Sequence, residues 1–179
     1  MLMDAQQAVL VIVDLQGRLM PAIDDGQQVL EQNLRLARIA HLLDIPVLGT
    51  EQNPDKLGPN ADMVKALCRQ TLHKMHFGAC ADGLPQLLQE LAPGRRQIVV
   101  TGCEAHVCML QTAVGLLERG YDVIIAIDAV GSRQATSREA ALARLDKLGA
   151  QLLTVEMLAF EWLRDCRHPK FRDALALIK

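Results

Sequence analysis

Aromatic residues are scarce in this chain, and their scarcity limits what it can bind. Among 179 residues there are one Trp, one Tyr and three Phe. Proteins that bind single-stranded nucleic acid stack bases on aromatic side chains, and this sequence offers few of them. The net charge is −2 and the basic residues form no long run. We therefore expect a small polar substrate and no nucleic-acid partner.

Long apolar segments and paired cysteines are also missing. The first apolar run, AVLVIV at residues 8–13, is too short for a membrane span or for the core of a signal peptide. The five Cys are odd in number and none forms a CxxC pair, so neither a disulfide framework nor a zinc framework is indicated. We expect no membrane partner, a reducing compartment and a cytoplasmic location.

The apolar residues form short runs rich in Val and Ile that alternate with segments of helical periodicity. Half of all residues are hydrophobic, so the chain can bury a sizeable core. The alternation is typical of buried parallel strands joined by crossover helices. It predicts a three-layer α/β/α fold with an open, six-stranded, mainly parallel sheet of the Rossmann-like kind. Without a linker or internal repeat, residues 1–179 are expected to form a single domain.

The predicted strands and helices place several side chains at strand ends. The strands span residues 8–14, 46–50, 71–74, 97–101, 122–127 and 151–154. The helices span residues 27–43, 61–67, 83–91, 106–119, 136–148, 155–164 and 169–178. Sheets of this kind bind ligands beyond the carboxyl ends of their strands, near the switch in strand order. Residues at those ends are therefore the candidates for chemistry.

Two charged residues end predicted strands. Asp14 directly follows the first apolar run and is a candidate general base, although Asp is also common as a loop former after strands. Lys74 ends the weak strand TLHK, where an ammonium is costly to bury unless it faces a carboxylate. The alternative for Lys74 is a solvated edge residue. No second set of His or acidic residues completes a metal site around His73 and His76, which are interpreted as scaffold or pocket lining.

The most informative segment is IVVTGCEAHVCMLQTAVGLLERG at residues 98–120, where a strand leads through a small-residue turn into a helix. Its first helical turn holds Cys108. The helix dipole and a nearby lysine are expected to lower the pKa of this thiol, and free N–H groups in the turn are suited to bind an oxyanion. Cys103, which precedes the helix, ranks second as a nucleophile. Three others, Cys68, Cys80 and Cys166, are expected to be inert core residues.

These motifs together resemble the isochorismatase-like family of cysteine hydrolases. The resemblance rests on Asp14 after the first strand, Lys74 after the third and GCEAHVC before a helix, and it covers almost the whole chain. IDAVGSR at residues 127–133 is similar to the family's segment after the fifth strand. Two further segments, LGTEQNPDKLGP at residues 48–59 and HPKFRDAL at residues 168–175, are similar to the branch called isochorismatase domain-containing proteins.

The resemblance implies a reaction and roles for residues. The family's catalytic triad falls on Asp14, Lys74 and Cys108, which implies hydrolysis of an amide or related C–N bond through a thioester on Cys108. The family also has a non-proline cis peptide before the nucleophile, matching Cys103–Glu104 here. Its oxyanion hole would consist of the backbone N–H groups of Glu104 and Cys108.

Three further residues are candidates for substrate binding. Glu51 and Gln52 follow the second predicted strand, and otherwise they are simply solvated loop residues. His106 lies in the turn before Cys108, where it could instead cap the helix, as could Glu104. Arg133 is expected to anchor a loop by pairing with a carboxylate.

The segment after the second strand bears on metal binding. Nicotinamidases of the family bind a metal there through an acidic residue and histidines, whereas this chain has Glu51, Gln52 and Asn53. We expect no metal and no other cofactor.

Two other functions stay open at this point. One is hydrolysis of an isochorismate-type vinyl ether, which would depend on Asp14 and not on Cys108. The other is a binding or scaffold protein that keeps the fold without turnover.

The family is commonly oligomeric, so a homo-oligomer is expected. Apolar residues near the C-terminus either cover the sheet or form the subunit contact, namely Leu158, Phe160, Trp162 and Leu163.

Overall fold

The computed structural model describes residues 2–179 and contains one six-stranded sheet. All neighbouring strands pair in parallel, in the order β3-β2-β1-β4-β5-β6. The strands are β1 Ala8–Val13, β2 Val47–Gln52, β3 Gln70–Lys74, β4 Gln97–Cys103, β5 Asp122–Gly131 and β6 Gln151–Leu153. The predicted open six-stranded α/β sheet is confirmed.

Helices cover both faces of the sheet. They are α1 Gly26–Leu42, α2 Pro54–Leu57, α3 Asp62–Lys65, α4 Leu84–Leu91, α5 Leu110–Leu117, α6 Ala135–Lys147, α7 Val155–Leu163 and α8 Phe171–Ile178. Short 3₁₀ turns occupy Met20–Ala22 and Ala79–Asp82, and a π-helical turn occupies Ala105–Met109. None of these helices, within residues 2–179, combines the length and the hydrophobicity needed to cross a membrane.

The central strand β1 explains the three layers. All six of its residues are buried, and their side chains alternate between two hydrophobic cores. Leu10 and Ile12 pack into the core beneath α1, α7 and α8, whereas Val11 and Val13 pack into the core beneath α4, α5 and α6. A strand that is buried on both faces needs an apolar side chain at every position. This explains the continuous aliphatic run AVLVIV in the sequence.

Most of the apolar residues singled out near the C-terminus cover the sheet. Leu158, Trp162 and Leu163 are buried in the core beneath α7, so these residues cover the sheet. Phe160 is exposed on the same helix.

The strand order switches between β1 and β4. From β1 the chain passes to β2 and β3 on one side of the sheet, then returns to β4 on the other side. The carboxyl ends of these four strands consequently lie side by side, with Val13 paired to both Thr50 and Gly102, and Gln52 paired to Lys74. This edge is where the sequence predicts chemistry.

Several boundaries differ from those predicted. Strand β5 extends to Gly131 instead of residue 127, and α2 and the short turns were not predicted. The helix expected at residues 106–119 begins instead with the π-helical turn, followed by α5.

Gly102 lets β4 approach β1 at the switch point. It has a φ of +96°, and an added Cβ would stand 2.0 Å from the carbonyl oxygen of Val13. We expect Gly102→Ala to lower the free energy of unfolding by about 3 kcal/mol or more, because a backbone group cannot move aside as a flexible side chain can. Urea denaturation would measure the loss.

Gly94→Ala is the matched control. Gly94 has a φ of +80°, and apart from Gly94 and its two chain neighbours no heavy atom among the described residues lies within 4 Å of its added Cβ. Its substitution carries only the conformational cost, about 1 to 2 kcal/mol. Equal losses in the two variants would contradict the steric explanation for Gly102.

Candidate active site

Asp14 and Lys74 form a buried ion pair at the carboxyl edge of the sheet. Lys74 Nζ lies 2.9 Å from Asp14 Oδ2, and both side chains are completely shielded from solvent. Asp14 directly follows β1 with a left-handed φ of +50°, and Lys74 is the last residue of the edge strand β3. Lys74 is thus not a solvated edge residue. Burying either charge alone would be costly, so each depends on the other.

Neighbouring polar groups complete this pair. Lys74 Nζ also donates to Gln52 Oε1 at 2.7 Å and to the carbonyl oxygen of Phe77 at 3.0 Å. Asp14 Oδ1 accepts from Thr50 Oγ1 at 2.6 Å. An ammonium has three N–H donors. In Lys74 all three are used, by Asp14 Oδ2, Gln52 Oε1 and the carbonyl oxygen of Phe77. The charged cluster is therefore fully hydrogen-bonded although it is buried.

Cys108 joins this cluster from the opposite side of the switch point. It lies in the π-helical turn Ala105–Met109, it is 7% exposed, and its Sγ stands 3.8 Å from Gln52 Oε1. Burial raises the pKa of the Cys108 thiol to about 12, the Asp14 carboxylate adds to the rise, and the Lys74 ammonium opposes it. The expected net lowering of this pKa is wrong, because desolvation outweighs the lysine. At neutral pH the thiol is protonated.

The other four cysteines lie in different environments. Cys103, the last residue of β4, is fully buried, and burial raises its thiol pKa well above the usual range. Partial burial raises the pKa of Cys68 and of Cys80 to about 11. Cys166 is exposed, so its predicted place in the core is wrong.

The turn before Cys108 has a distinctive backbone. The Cys103–Glu104 peptide bond is cis, as the family resemblance implies. The N–H groups of Val107 and Met109 both donate to the carbonyl oxygen of Glu104, at 3.0 and 3.2 Å. The turn is thus closed by bonds from the two chain neighbours of Cys108.

A salt bridge holds the same turn from outside. Glu104 Oε1 accepts from the backbone N–H of Arg133 at 3.1 Å and from its Nε at 2.9 Å. Arg133 therefore pairs with a carboxylate, as expected, and ties the segment after β5 to the turn.

The three substrate-binding candidates occupy different places. Gln52 lies beside Lys74 and Cys108. His106, two residues before Cys108, is half-buried, and its Nδ1 lies 3.0 Å from Ser132 Oγ.

Glu51 lies on the other face of β2. Its Oε1 accepts from the backbone N–H of Asn60 at 2.8 Å, and its Oε2 is 3.0 Å from His73 Nε2. Successive side chains in a strand point to opposite faces, so the structure does not bring Glu51 together with the thiol.

The sequence did not single out Thr50 or Gln16, although both touch the cluster. Thr50 shares a face with Gln52 because the two are separated by one residue of β2, so strand alternation could have identified Thr50 only if the predicted strand had extended to residue 52. Gln16 exchanges two hydrogen bonds with the backbone of Gln52, at 2.8 and 3.0 Å. No sequence signal for Gln16 was available, because a loop residue has no fixed periodicity.

Two observations concern other ligands. Across residues 2–179, no group of three or more His, Cys, Asp or Glu side chains is arranged to hold a metal ion.

A cavity of about 270 Å³ lies at the side of β5, and its lining includes Ser132 and Arg138 but not Asp14, Lys74 or Cys108. The ion pair and the thiol thus lie outside this cavity.

Comparisons with known proteins identify the family to which this chain belongs. The model of the isochorismatase domain matches residues 8–157. The chain belongs to the isochorismatase family. Isochorismatase domain-containing protein 2A of Mus musculus is 36% identical over 177 residues, which is 97% of this chain and 84% of that protein. The resemblance read from the motifs is confirmed, including its branch.

Solved structures of similar proteins extend the comparison. The MAR1 ribonuclease of Caenorhabditis elegans superposes with a TM-score of 0.92 at 31% identity, covering 99% of this chain and 92% of that one. YcaC from Pseudomonas aeruginosa, described with hexane-2,5-diol and covalent acrylamide, gives 0.89 at 27% identity, with coverage of 98% and 91%. YcaC from Escherichia coli, described as an octameric hydrolase of unknown specificity, gives 0.85 at 25% identity, with coverage of 98% and 95%. This isochorismatase-family chain thus shares its fold with these structures.

The raised pKa of Cys108 predicts an order of chemical labelling. With iodoacetamide near neutral pH, exposed Cys166 should react first and Cys108 slowly. Labelling of Cys108 should then accelerate about tenfold per pH unit on the approach to its pKa, because only the thiolate reacts. Peptide mapping over a pH series would measure both rates. Rapid labelling of Cys108 at neutral pH, with no rise above it, would contradict this order.

Proposed function

We propose that this protein is a cysteine hydrolase that cleaves an amide or related C–N bond of a small molecule through a thioester on Cys108. One observation carries the proposal: the buried thiol of Cys108 adjoins the cluster formed by the ion pair of Asp14 and Lys74 and by Gln52. A protonated thiol is a weak nucleophile and needs a base within reach. Asp14 is the group that can accept its proton, with Lys74 stabilising the carboxylate.

In the first half-reaction Cys108 attacks the substrate carbonyl carbon. The thiol proton passes to Asp14 while the C–S bond forms, and the carbonyl oxygen becomes an oxyanion. As the tetrahedral intermediate collapses, the C–N bond breaks and protonated Asp14 gives its proton to the leaving nitrogen. The products of this half are an amine and a thioester.

Water completes the second half-reaction. It attacks the thioester carbonyl carbon and gives one proton to Asp14. The C–S bond then breaks, and the departing Cys108 thiolate takes that proton back, which restores the resting cluster. The acyl part leaves as a carboxylic acid.

The oxyanion would be held by the backbone N–H groups of Glu104 and Cys108. Two contacts support this assignment: the neighbouring N–H groups of Val107 and Met109 point to the Glu104 carbonyl, and Arg133 fixes the Glu104 side chain. A turn that is held rigidly before reaction can stabilise developing charge without rearranging, which is the main source of such catalysis.

The environment of the thiol favours a small substrate. Cys108 is 7% exposed, so only a small electrophile reaches its sulfur without displacing side chains. Gln52 and His106 are the polar side chains proposed to contact that substrate, and no cofactor is required. The relative described with covalent acrylamide supports this reading, because acrylamide is a small electrophile.

Removal of either group should abolish turnover of amides. With a panel of small amides, Cys108→Ala and Asp14→Asn should each lower kcat/KM by about 10³-fold or more, since they remove the nucleophile and its base. Stopped-flow release of the amine and intact-mass detection of an acyl adduct would measure the two half-reactions. Cys166→Ala, at an exposed thiol, is the matched control and should retain full activity.

Other outcomes would assign a different function. Cleavage of a vinyl ether that survives Cys108→Ala but not Asp14→Asn would favour the isochorismate-type reaction. Cleavage of RNA would place this chain with the relative described as a ribonuclease. A folded protein that binds panel compounds without turning them over would favour a binding or scaffold role.

We further propose that the protein forms a homo-oligomer, since one relative is described as octameric. The exposed apolar side chains of Met157 and Phe160 on α7 would be covered in such an assembly. Size-exclusion chromatography with light scattering should give a mass of two or more chains. A single-chain mass across the concentration range would contradict the assembly. The single domain and the cytoplasmic location stay predictions.

A further inference from the structure

The amide of Gln52 stands between the two groups whose contact would activate the thiol. Gln52 Oε1 is 2.7 Å from Lys74 Nζ and 3.8 Å from Cys108 Sγ. Lys74 is close enough to the sulfur to lower its pKa. All three of its N–H groups, however, are directed at oxygen atoms of Asp14, Gln52 and Phe77.

The orientation of this amide is fixed by its partners. Gln52 Nε2 donates to the carbonyl oxygen of Met75 at 2.8 Å. A flipped amide would place its NH₂ group against the Lys74 ammonium and its oxygen against the Met75 carbonyl, and both contacts would be repulsive. The oxygen therefore faces Lys74.

The backbone of Gln52 is held as firmly as its side chain. Gln16 Oε1 accepts from the backbone N–H of Gln52 at 2.8 Å, and Gln16 Nε2 donates to its carbonyl oxygen at 3.0 Å. Gln16 Nε2 also donates to the carbonyl oxygen of Gly58 at 2.6 Å. Because Gln16 is completely buried, these bonds are shielded from competition with water.

We propose that Gln52 is a positioning residue that holds one N–H of Lys74 away from Cys108, so that the sulfur keeps its proton until Asp14 removes it during attack. This inference rests on the proposed role of Cys108 as nucleophile. The charged groups acting on the sulfur are Asp14, after β1, and Lys74, at the end of β3. Gln52, at the end of β2, determines how Lys74 divides its hydrogen bonds between these two.

Gln52→Met tests the proposal because methionine has similar length but offers no amide oxygen. The released N–H of Lys74 can then turn toward the sulfur, which adjoins the vacated position. The pH profile for iodoacetamide labelling of Cys108 should move to lower pH, so the labelling rate near neutral pH should rise about tenfold for each unit by which the pKa falls.

Gln52→Glu should act in the opposite direction. It retains an oxygen acceptor for Lys74 and adds a negative charge beside the sulfur, so labelling of Cys108 should be slower than in the wild type. Gln70→Met, the same change as the first variant at the exposed first residue of β3, should leave the profile unchanged. Circular dichroism and thermal unfolding would confirm that each variant is folded.

The opposite effects expected of the two variants separate positioning from a merely structural role. If Gln52 only bridged β2 and the loop after β3, either substitution would loosen the site and speed labelling of Cys108. Faster labelling in both Gln52 variants, or an unchanged rate in Gln52→Met, would overturn the proposal.

Labelling by iodoacetamide requires no turnover, so the two proposals can fail separately. A wild-type protein that hydrolyses no amide would remove the proposed function while leaving the Gln52 measurement readable. Amide hydrolysis together with an unchanged labelling rate of Cys108 in Gln52→Met would remove only the role of Gln52.

Discussion

The buried ion pair of Asp14 and Lys74 is the constraint on which the carboxyl edge of the sheet depends. Two charges without water are tolerated only when their partners are supplied, and here β2 supplies Thr50 to the carboxylate and Gln52 to the ammonium. These contacts require a strand register in which the carboxyl ends of β1, β2 and β3 lie side by side. The pairings of Val13 with Thr50 and of Gln52 with Lys74 provide that register. The register of three strands and the geometry of the pair therefore determine each other.

The same desolvation that couples the pair also controls the thiol. Around Cys108 it outweighs the favourable charge of Lys74, so the sulfur is held neutral beside a carboxylate. A site that stored a thiolate would be reactive toward any electrophile, whereas a neutral thiol with a base at hand reacts when a carbonyl is positioned. In the proposed mechanism, burial of the thiol therefore gives selectivity at the cost of resting reactivity.

The sequence was informative where chemistry follows from chain position. Asp14 and Lys74 end strands, and parallel strands bring their carboxyl ends to one edge, so their proximity was predictable. The direction of the Cys108 pKa shift was not, because it depends on how deeply tertiary packing buries the sulfur. The sequence also did not predict which face of the sheet Glu51 occupies. The predicted second strand ended at residue 50 and left Glu51 and Gln52 in a loop, where the alternation of side chains does not apply. The exposure of Cys166 depends on how the chain between α7 and α8 packs.

Alternation along β2 gives this strand two separate purposes. Thr50 and Gln52 face the ion pair, while Glu51 between them bonds the backbone of Asn60 and so holds the segment that follows α2. Gln16 then joins the two sides, because its amide bonds both Gln52 and Gly58. A displacement of that segment would be transmitted to Gln52 through Gln16, and from Gln52 to Lys74. Residues outside the cluster can thereby set its geometry, which is why the surroundings of β2 matter as much as the side chains of Asp14, Lys74 and Cys108.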